Sequence, residues 1–310
     1  MKLNEPFFWK DKNFISIFLF PLSLITLLVN FSKKIFPKNK FKIKTVCIGN
    51  IYIGGTGKTS LAIEINNILK KKFKTVFIKK NYSDHKDEIK LLQNSGQIIS
   101  TNKRLKSLNI AEKKGFELAI LDDGFQQKNI AYDLKILCFN SKKGIGNGMV
   151  LPSGPLRESL NEINNCDLIF INGEFKNNKL IKKIKSIKPN TIIFETTYIP
   201  TNLKKLNSKK NFLMFCGIGN PHEFENTLSK FNFRVKRKFI YPDHHQIIDK
   251  DIITMKNLAK KEGLSIVTTE KDYLRLHKRQ KKDIGFLKIK LKIKNLDKLK
   301  KILLNLNEKL

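Results

Sequence analysis

Residues 51–60 read IYIGGTGKTS, and their types and spacing suit one task, the gripping of a phosphate chain. Such a loop aims consecutive backbone N–H groups at phosphate oxygens, with a helix N-terminus behind them. Gly54, Gly55 and Gly57, with Thr56 among them, leave the backbone bare where a phosphate must approach, and the run from Ser60 has helical spacing. Lys58 is placed to reach the β- and γ-phosphates, and the Thr59 hydroxyl to ligate Mg²⁺. The common spacing G-x-x-x-x-G-K-[ST] calls for a further glycine at position 52, which holds Tyr52. In this variant a glycine pair sits nearer the lysine instead.

A nucleotide loop also needs a carboxylate at a neighbouring strand end. LDDGFQQ (121–127) offers Asp122 and Asp123 after an apolar run. Such an aspartate holds Mg²⁺ in P-loop enzymes; taken alone, the pair also reads as a turn with a helix cap. LPSGPLRES (151–159) is ordered by Pro and Gly and carries Arg157 and Glu158. The planar fork of Arg157 suits a phosphate and Glu158 could join a metal shell, while a structural Arg–Glu pair is the plain alternative. YPDHHQ (241–246) brings Asp243, His244 and His245 together. Neighbouring histidines on a strand point to opposite faces, so one of them is a candidate general base or its orienting partner rather than half of a metal site. HKDE (85–88) places Asp87 and Glu88 after a strand and a short loop, where solvated carboxylates are the default.

The elements that must hold these residues alternate. KTVCIGN (44–50) reads as a buried parallel strand, the stretch 60–73 as a helix, and TVFIKK (75–80) as a second strand. FELAILDD (116–123), DLKILCFN (133–140), DLIFING (167–173) and NTIIFETT (190–197) continue the series. This order predicts βαβ units, a mostly parallel sheet and helices on both faces. The polar stretch 194–211 reads as a linker, and a second, smaller α/β series starts at 211 and includes GLSIVTTEKD (263–272). The tail from about 288 is Lys/Leu-rich and helical in pattern. The expected division is therefore an N-terminal helix with a basic connector over 1–40, a P-loop domain over 41–205, and a smaller α/β domain over 206–310.

The formal net charge is +34, with 61 basic residues of which only six are arginine. Part of this is a Lys-, Ile- and Asn-heavy composition; the rest argues for an anionic partner. A nucleic acid is not expected, because the aromatic residues lie within apolar runs rather than among the lysines of a polar face. Cys47, Cys138, Cys166 and Cys216 form no C-x-x-C pair and read as buried thiols. FISIFLFPLSLITLLVNF (14–31) is uncharged over 18 residues. As one helix it would be about 27 Å long, just short of a hydrocarbon core, and Pro21 would kink or break it. Phe7, Phe8 and Trp9 before it suit an interfacial belt, and Lys33, Lys34, Lys38 and Lys40 after it place that side in the cytoplasm. A membrane anchor, spanning or lying in the interface, competes with a buried core helix.

In this order, GNIYIGGTGKTS, LDDGFQQ, LPSGPLRES, CGIGNP, YPDHH and VTTEKD resemble the tetraacyldisaccharide 4′-kinase (lipid A 4′-kinase) family over residues 49–272. The resemblance implies transfer of the γ-phosphate of ATP, with Mg²⁺, to the 4′-hydroxyl of a tetraacylated, 1-phosphorylated glucosamine disaccharide, the lipid A precursor. It also implies two α/β/α domains joined by a β-stranded hinge, on the cytoplasmic side of the inner membrane, against an anionic membrane surface; a monomer is favoured. By motif, Lys58 serves catalysis and the phosphates together with Gly54, Gly55, Thr56, Gly57, Thr59 and Ser60. Thr59, Asp122, Asp123 and Glu158 attend the metal, Asp122 also the reaction centre, and Arg157 and Asn50 the substrate. Asp87 stands where the family has its general base and His244 where it has the base's partner, the histidine coming from the second domain so that closure assembles the pair. Two departures are visible: the family's S-R-G-Y is KKNY (79–82) here, and the glycine before its Asp–Glu pair is Lys86. A GTPase-type switch or metallochaperone is the competing reading, against which TEKD (269–272) has its lysine one place too late for a guanine reader.

Overall fold

The computed structural model describes residues 5–82, 86–206, 211–243 and 245–306. The chain divides into a larger unit of Glu5–Asn81, Leu92–Thr197 and Leu291–Leu310, and a smaller one built chiefly of Tyr82–Leu91 and Tyr198–Lys290. These units differ from the expected ranges. Residues 82–91 leave the P-loop region for the smaller unit, the C-terminal segment returns to the larger one, and the N-terminal segment from Glu5 belongs to the larger one as well.

The larger unit is built on an eight-stranded sheet. Its strands are β1 (Lys44–Gly49), β2 (Thr75–Lys80), β3 (Ile98–Thr101), β4 (Leu118–Asp122), β5 (Leu134–Asn140), β6 (Leu168–Asn172), β7 (Ile192–Pro200) and the late strand β12 (Ile289–Ile293). The spatial order is β12-β7-β6-β5-β1-β4-β2-β3, and the pairings from β3 through β7 are parallel. β1, β4 and β6 are buried almost end to end, as strands covered on both faces must be. Helices α3 (Lys58–Leu69) and α10 (Leu296–Leu304) pack together on one face. On the other, α5 (Arg104–Lys113) and α6 (Asn178–Ile187) cover Cys47, Leu121, Leu137 and Ile169. Residues 194–200 are strand, not linker, and the tail from 288 begins as a strand before it turns helical.

The smaller unit holds a four-stranded parallel sheet in the order β11-β10-β8-β9. The strands are β8 (Asn211–Cys216), β9 (Arg234–Ile240), β10 (Ser265–Thr269) and β11 (Ile284–Leu287). Helix α7 (Pro221–Lys230) covers one face through Phe224 and Leu228, and α8 (Asp249–Lys261) the other through Ile252, Met255 and Ala259. β9 is an edge strand carrying Arg234, Lys236, Arg237 and Lys238, charges that oppose edge-to-edge pairing. α4 is Lys86–Gln93, and α9 (Glu270–Arg275) follows β10 directly.

The apolar N-terminal stretch is helical but interrupted. α1 (Phe14–Phe18) stops at Leu19, and α2 (Phe20–Ile35) restarts with Pro21 in its first turn, where its missing N–H is harmless. Among the described residues no helix is long and apolar enough to cross a membrane. The pair is inside-out for a soluble protein. Ser16, Ser23 and Asn30, spaced by seven, are buried against the larger unit, while Phe14, Phe18, Leu28 and Phe31 are exposed. Ser23 Oγ bonds the carbonyl of Val150 and the Ser153 hydroxyl, Asn30 donates to the carbonyl of Arg157, and Lys34 pairs with Glu162. All four cysteines are free and buried, and burial pushes the Cys47 thiol up to about 12.

Candidate active site

β1 lies between β4 and β5, and the connections leaving β1 and β5 run to opposite sides. Ligands of open α/β sheets bind at such a switch point, beyond the carboxyl ends of the strands. The glycine loop opens there. Gly57 caps α3 in the left-handed region at φ +81°, and Gly54 stands at φ +96°, both conformations that an L side chain resists. A Cβ at Gly55 would meet nothing within 4 Å, so the turn is open there, while the Glu5 and Lys143 side chains come near Gly54. Ser60 lies in the first turn of α3. Asn172, at the end of β6, donates to the carbonyl of Thr56 and fixes the loop from the far side.

Tyr52 explains itself in this setting. It forms an isolated antiparallel bridge with Leu156, flanked by Ile53 N–H to the Pro155 carbonyl at 2.9 Å and Arg157 N–H to the Ile51 carbonyl at 2.6 Å. A glycine would be needed at 52 if a phosphate came close; here a strand-like segment does, and its ring is buried. The bridge ties the 151–159 loop to the glycine loop and delivers Arg157 to the site. Asn50, expected at the substrate, is fully buried; its amide donates to the carbonyls of Tyr52 and Gly54. Its amide thus braces the loop, while its Oδ1 is buried without a partner.

The carboxylates divide their partners. The register sets Asp122 opposite Ile48, one turn from the loop. Its Oδ2 accepts from Thr59 Oγ1 at 3.0 Å and from Lys79 Nζ at 2.5 Å, while its Oδ1 is buried without a partner. Asp123 occupies the left-handed region at φ +58°, which Asp tolerates better than most residues. Lys58 Nζ lies 3.5 Å from its Oδ1, and Arg157 Nη1 lies 3.4 Å from each of its oxygens. Burial alone would raise the Asp123 carboxyl, but Lys58, Arg157, Lys79 and Arg104 together hold it far below the usual carboxylate range. Arg104 also donates to the Asp123 carbonyl at 2.7 Å. Glu158 is held elsewhere: Lys128 bridges it at 2.7 Å and Glu162 at 2.8 Å. Burial raises its carboxyl, against the pull of Lys128.

Among the described residues no three His, Cys, Asp or Glu side chains converge on a metal position. Of the expected Thr59, Asp122, Asp123 and Glu158, the structure brings Thr59 and Asp122 into direct contact, while Asp123 pairs with Lys58 and Arg157 and Glu158 with Lys128. The pair of Thr59 and Asp122 fits Mg²⁺, a hard ion that takes one or two protein oxygens and completes its shell with phosphates and water. The orphaned Asp122 Oδ1 beside a threonine hydroxyl offers that chemistry.

In the smaller unit, Asp87 is not the solvated carboxylate that its sequence context suggests. It is 2% exposed, its Oδ2 accepts from Arg275 Nη2 at 2.7 Å, and Lys271 Nζ lies 3.5 Å away. Lys271 also pairs with Glu88 at 3.1 Å and lies 3.9 Å from Asp243. Burial would lower the Lys271 ammonium, but Glu88, Asp87 and Asp243 raise it above its ordinary value. Asp87 thus belongs to the unit that contains the 241–246 segment. That segment is not a strand; His244 itself lies outside the described residues. TEKD is no guanine reader: Asp272 is fully buried, accepting from the Gly217 N–H at 3.1 Å and from Arg275 at 2.7 Å. Lys79, Arg104, Lys271 and Arg275 were not singled out by sequence reasoning; scarcity of arginine was a signal for two of them.

Comparison with known proteins gives one answer. The sequence profile of the family described as tetraacyldisaccharide-1-P 4′-kinase matches residues 15–96 and 73–308. A tetraacyldisaccharide 4′-kinase of Pelagibacter ubique (strain HTCC1062) is 46% identical over 316 residues, covering 100% of both chains. Another, of Rickettsia bellii (strain OSU 85-389), is 30% identical and covers 89% of this chain and 90% of its own. The fold matches the crystal structure of LpxK from Aquifex aeolicus in complex with ATP at a TM-score of 0.72 and 23% identity, over 94% of this chain and 99% of that one. With a match over nearly its whole length, this chain belongs to the tetraacyldisaccharide-1-P 4′-kinase family.

Proposed function

We propose that this chain transfers the γ-phosphoryl group of ATP to the 4′-hydroxyl of a tetraacylated glucosamine disaccharide 1-phosphate in lipid A synthesis, working at the cytoplasmic surface of the inner membrane. The observation that carries the reading is the convergence of Thr59, Asp122, Lys58, Asp123 and Arg157 on an open glycine loop. Backbone N–H groups of residues 55–59 and the α3 N-terminus receive the phosphate chain. Lys58 and Arg157, held by Asp123 meanwhile, turn to phosphate oxygens. Thr59 and Asp122 would hold Mg²⁺, which would supply positive charge against the developing charge of the transferred group.

Asp87 takes the proton of the 4′-hydroxyl as its oxygen attacks the γ-phosphorus and the bond to the β,γ-bridging oxygen breaks, releasing ADP. Arg275 and Lys271 lie at 2.7 Å and 3.5 Å from its Oδ2 and hold the side chain in place. His244 is the expected partner of Asp87. Support for the membrane comes from α1 and α2, whose polar stripe faces the protein and whose apolar face is exposed, followed by exposed Lys33, Lys38 and Lys40. Such a pair suits the headgroup region of an anionic bilayer, lying rather than spanning.

The test is incubation with γ-labelled ATP, Mg²⁺ and the monophosphorylated disaccharide. Label is expected in a bisphosphorylated lipid, and to vanish for Lys58→Ala while the melting temperature holds. Turnover unchanged in Lys58→Ala, or label released only as free phosphate, contradicts the proposal.

A further inference from the structure

We propose that Lys79 is the resident counter-ion of the metal-binding carboxylate, barring Mg²⁺ from Asp122 until a triphosphate brings the metal with it. The inference rests on the nucleotide reading above and concerns the order in which that site fills. Lys79 is the penultimate residue of β2 and is 2% exposed, a rare placement for a lysine. It stands in the KKNY stretch, where the family pattern has S-R-G-Y. Its ammonium meets Asp122 Oδ2 at 2.5 Å, the same oxygen that accepts from Thr59.

Asp122 Oδ2 and the Thr59 hydroxyl are thus joined in one hydrogen-bonded knot with a buried cation, which sits on the same carboxylate as the unpartnered Oδ1. A bare divalent ion approaching this carboxylate meets a like charge at hydrogen-bond distance from it, where little water screens the repulsion. The neighbourhood adds more positive charge, since Lys58, Arg104 and Arg157 gather around Asp123 next door. Among the described residues, the carboxylates that face these cations are Asp122 and Asp123. A triphosphate reverses the balance, supplying about four negative charges and giving the ammonium phosphate oxygens as new partners. Lys79 can then release Asp122 without leaving the site, and the carboxylate becomes available to the ion that travels with the nucleotide.

The test is Mn²⁺ binding by the full chain, followed by electron paramagnetic resonance with and without a non-hydrolysable ATP analogue. Wild type is expected to take up Mn²⁺ only with the analogue. Lys79→Met, which keeps the length and loses the charge, is expected to bind Mn²⁺ alone at least about tenfold more tightly than wild type. Mg²⁺ alone should raise the melting temperature of that variant and leave wild type unmoved. Lys79→Arg should go on excluding the bare ion. Equal nucleotide-free binding by wild type and Lys79→Met overturns the inference. Should Lys79→Met not fold, nucleotide-free Mn²⁺ binding by wild type that is lost in Asp122→Asn overturns it equally well, and its absence supports it. Failure of wild type to bind the analogue with Mg²⁺ would instead remove the nucleotide reading itself, and this inference with it.

Discussion

Replacing Phe18, Leu28 and Phe31 by serine should release the protein from membranes without unfolding it. These side chains are 74%, 68% and 64% exposed, so they contribute little to the core. Full burial of a leucine or phenylalanine side chain contributes about 1.5–3 kcal/mol. About two-thirds of that is available to lipid here, roughly 1–2 kcal/mol each, or ~3–6 kcal/mol for the three. The headgroup region is wetter than hydrocarbon, so the lower end is the safer figure, and ~3 kcal/mol is a factor of about 10² in partitioning. Co-sedimentation with vesicles of mixed zwitterionic and anionic lipid reads that factor, with melting temperature as the control, expected to move little because exposed substitutions change stability by about 0.5 kcal/mol or less. Undiminished binding would refute the reasoning from the apolar face. Undiminished binding that high salt abolishes would transfer the role to Lys33, Lys38 and Lys40, each contributing about 1 kcal/mol near anionic lipid.

Asp87→Asn should lower kcat by about 10²-fold or more with nucleotide affinity unchanged, as steady-state kinetics and a binding titration would show; a normal kcat moves the base elsewhere. Ser23→Ala strands the Ser153 N–H and hydroxyl that Ser23 serves inside the fold, and should cost about 1–3 kcal/mol in denaturant unfolding. A loss near zero would mean that α2 is not held by its polar stripe. Glu162 gives a pH prediction. Burial would raise its carboxyl, but hydrogen bonds from Lys128 and Lys34 outweigh that and bring it from 4.5 to about 2. A folded-state value below the unfolded one stabilises fully above pH 4.5 and loses that contribution as pH falls toward 2. Stability measured across this window should fall less steeply in Glu162→Gln than in wild type, and parallel curves would contradict the assignment.

The parts of the site that a sequence shows are those built from backbone. The glycine loop, its strand and its helix could be read because Gly54, Gly57 and Lys58 are local in the chain, and the apolar runs of β1, β4, β5 and β6 are long enough to declare themselves. β3 escaped notice because IIST is four residues of partly buried strand. Asp87 looked solvated because its cations, Arg275 and Lys271, arrive from more than 180 residues away. No periodicity reports a ten-residue segment such as 82–91 that groups with residues far along the chain. Lys79 was one lysine among many in a biased composition; only the parallel neighbour β4, which carries Asp122, gives it meaning. Tyr52 read as a missing glycine until Leu156 was found across from it.

The central claim is that backbone nitrogens around Gly55 to Thr59 hold a triphosphate whose metal sits between Thr59 and Asp122. A crystal structure of this chain with Mg²⁺ and a non-hydrolysable ATP analogue tests it most directly. Phosphate oxygens are expected on the N–H groups of residues 55–59, with Lys58 turned from Asp123 toward them and the ion on Thr59 Oγ1 and Asp122. An analogue bound away from the glycine loop, or a loop left bare beside an occupied site elsewhere, would contradict it.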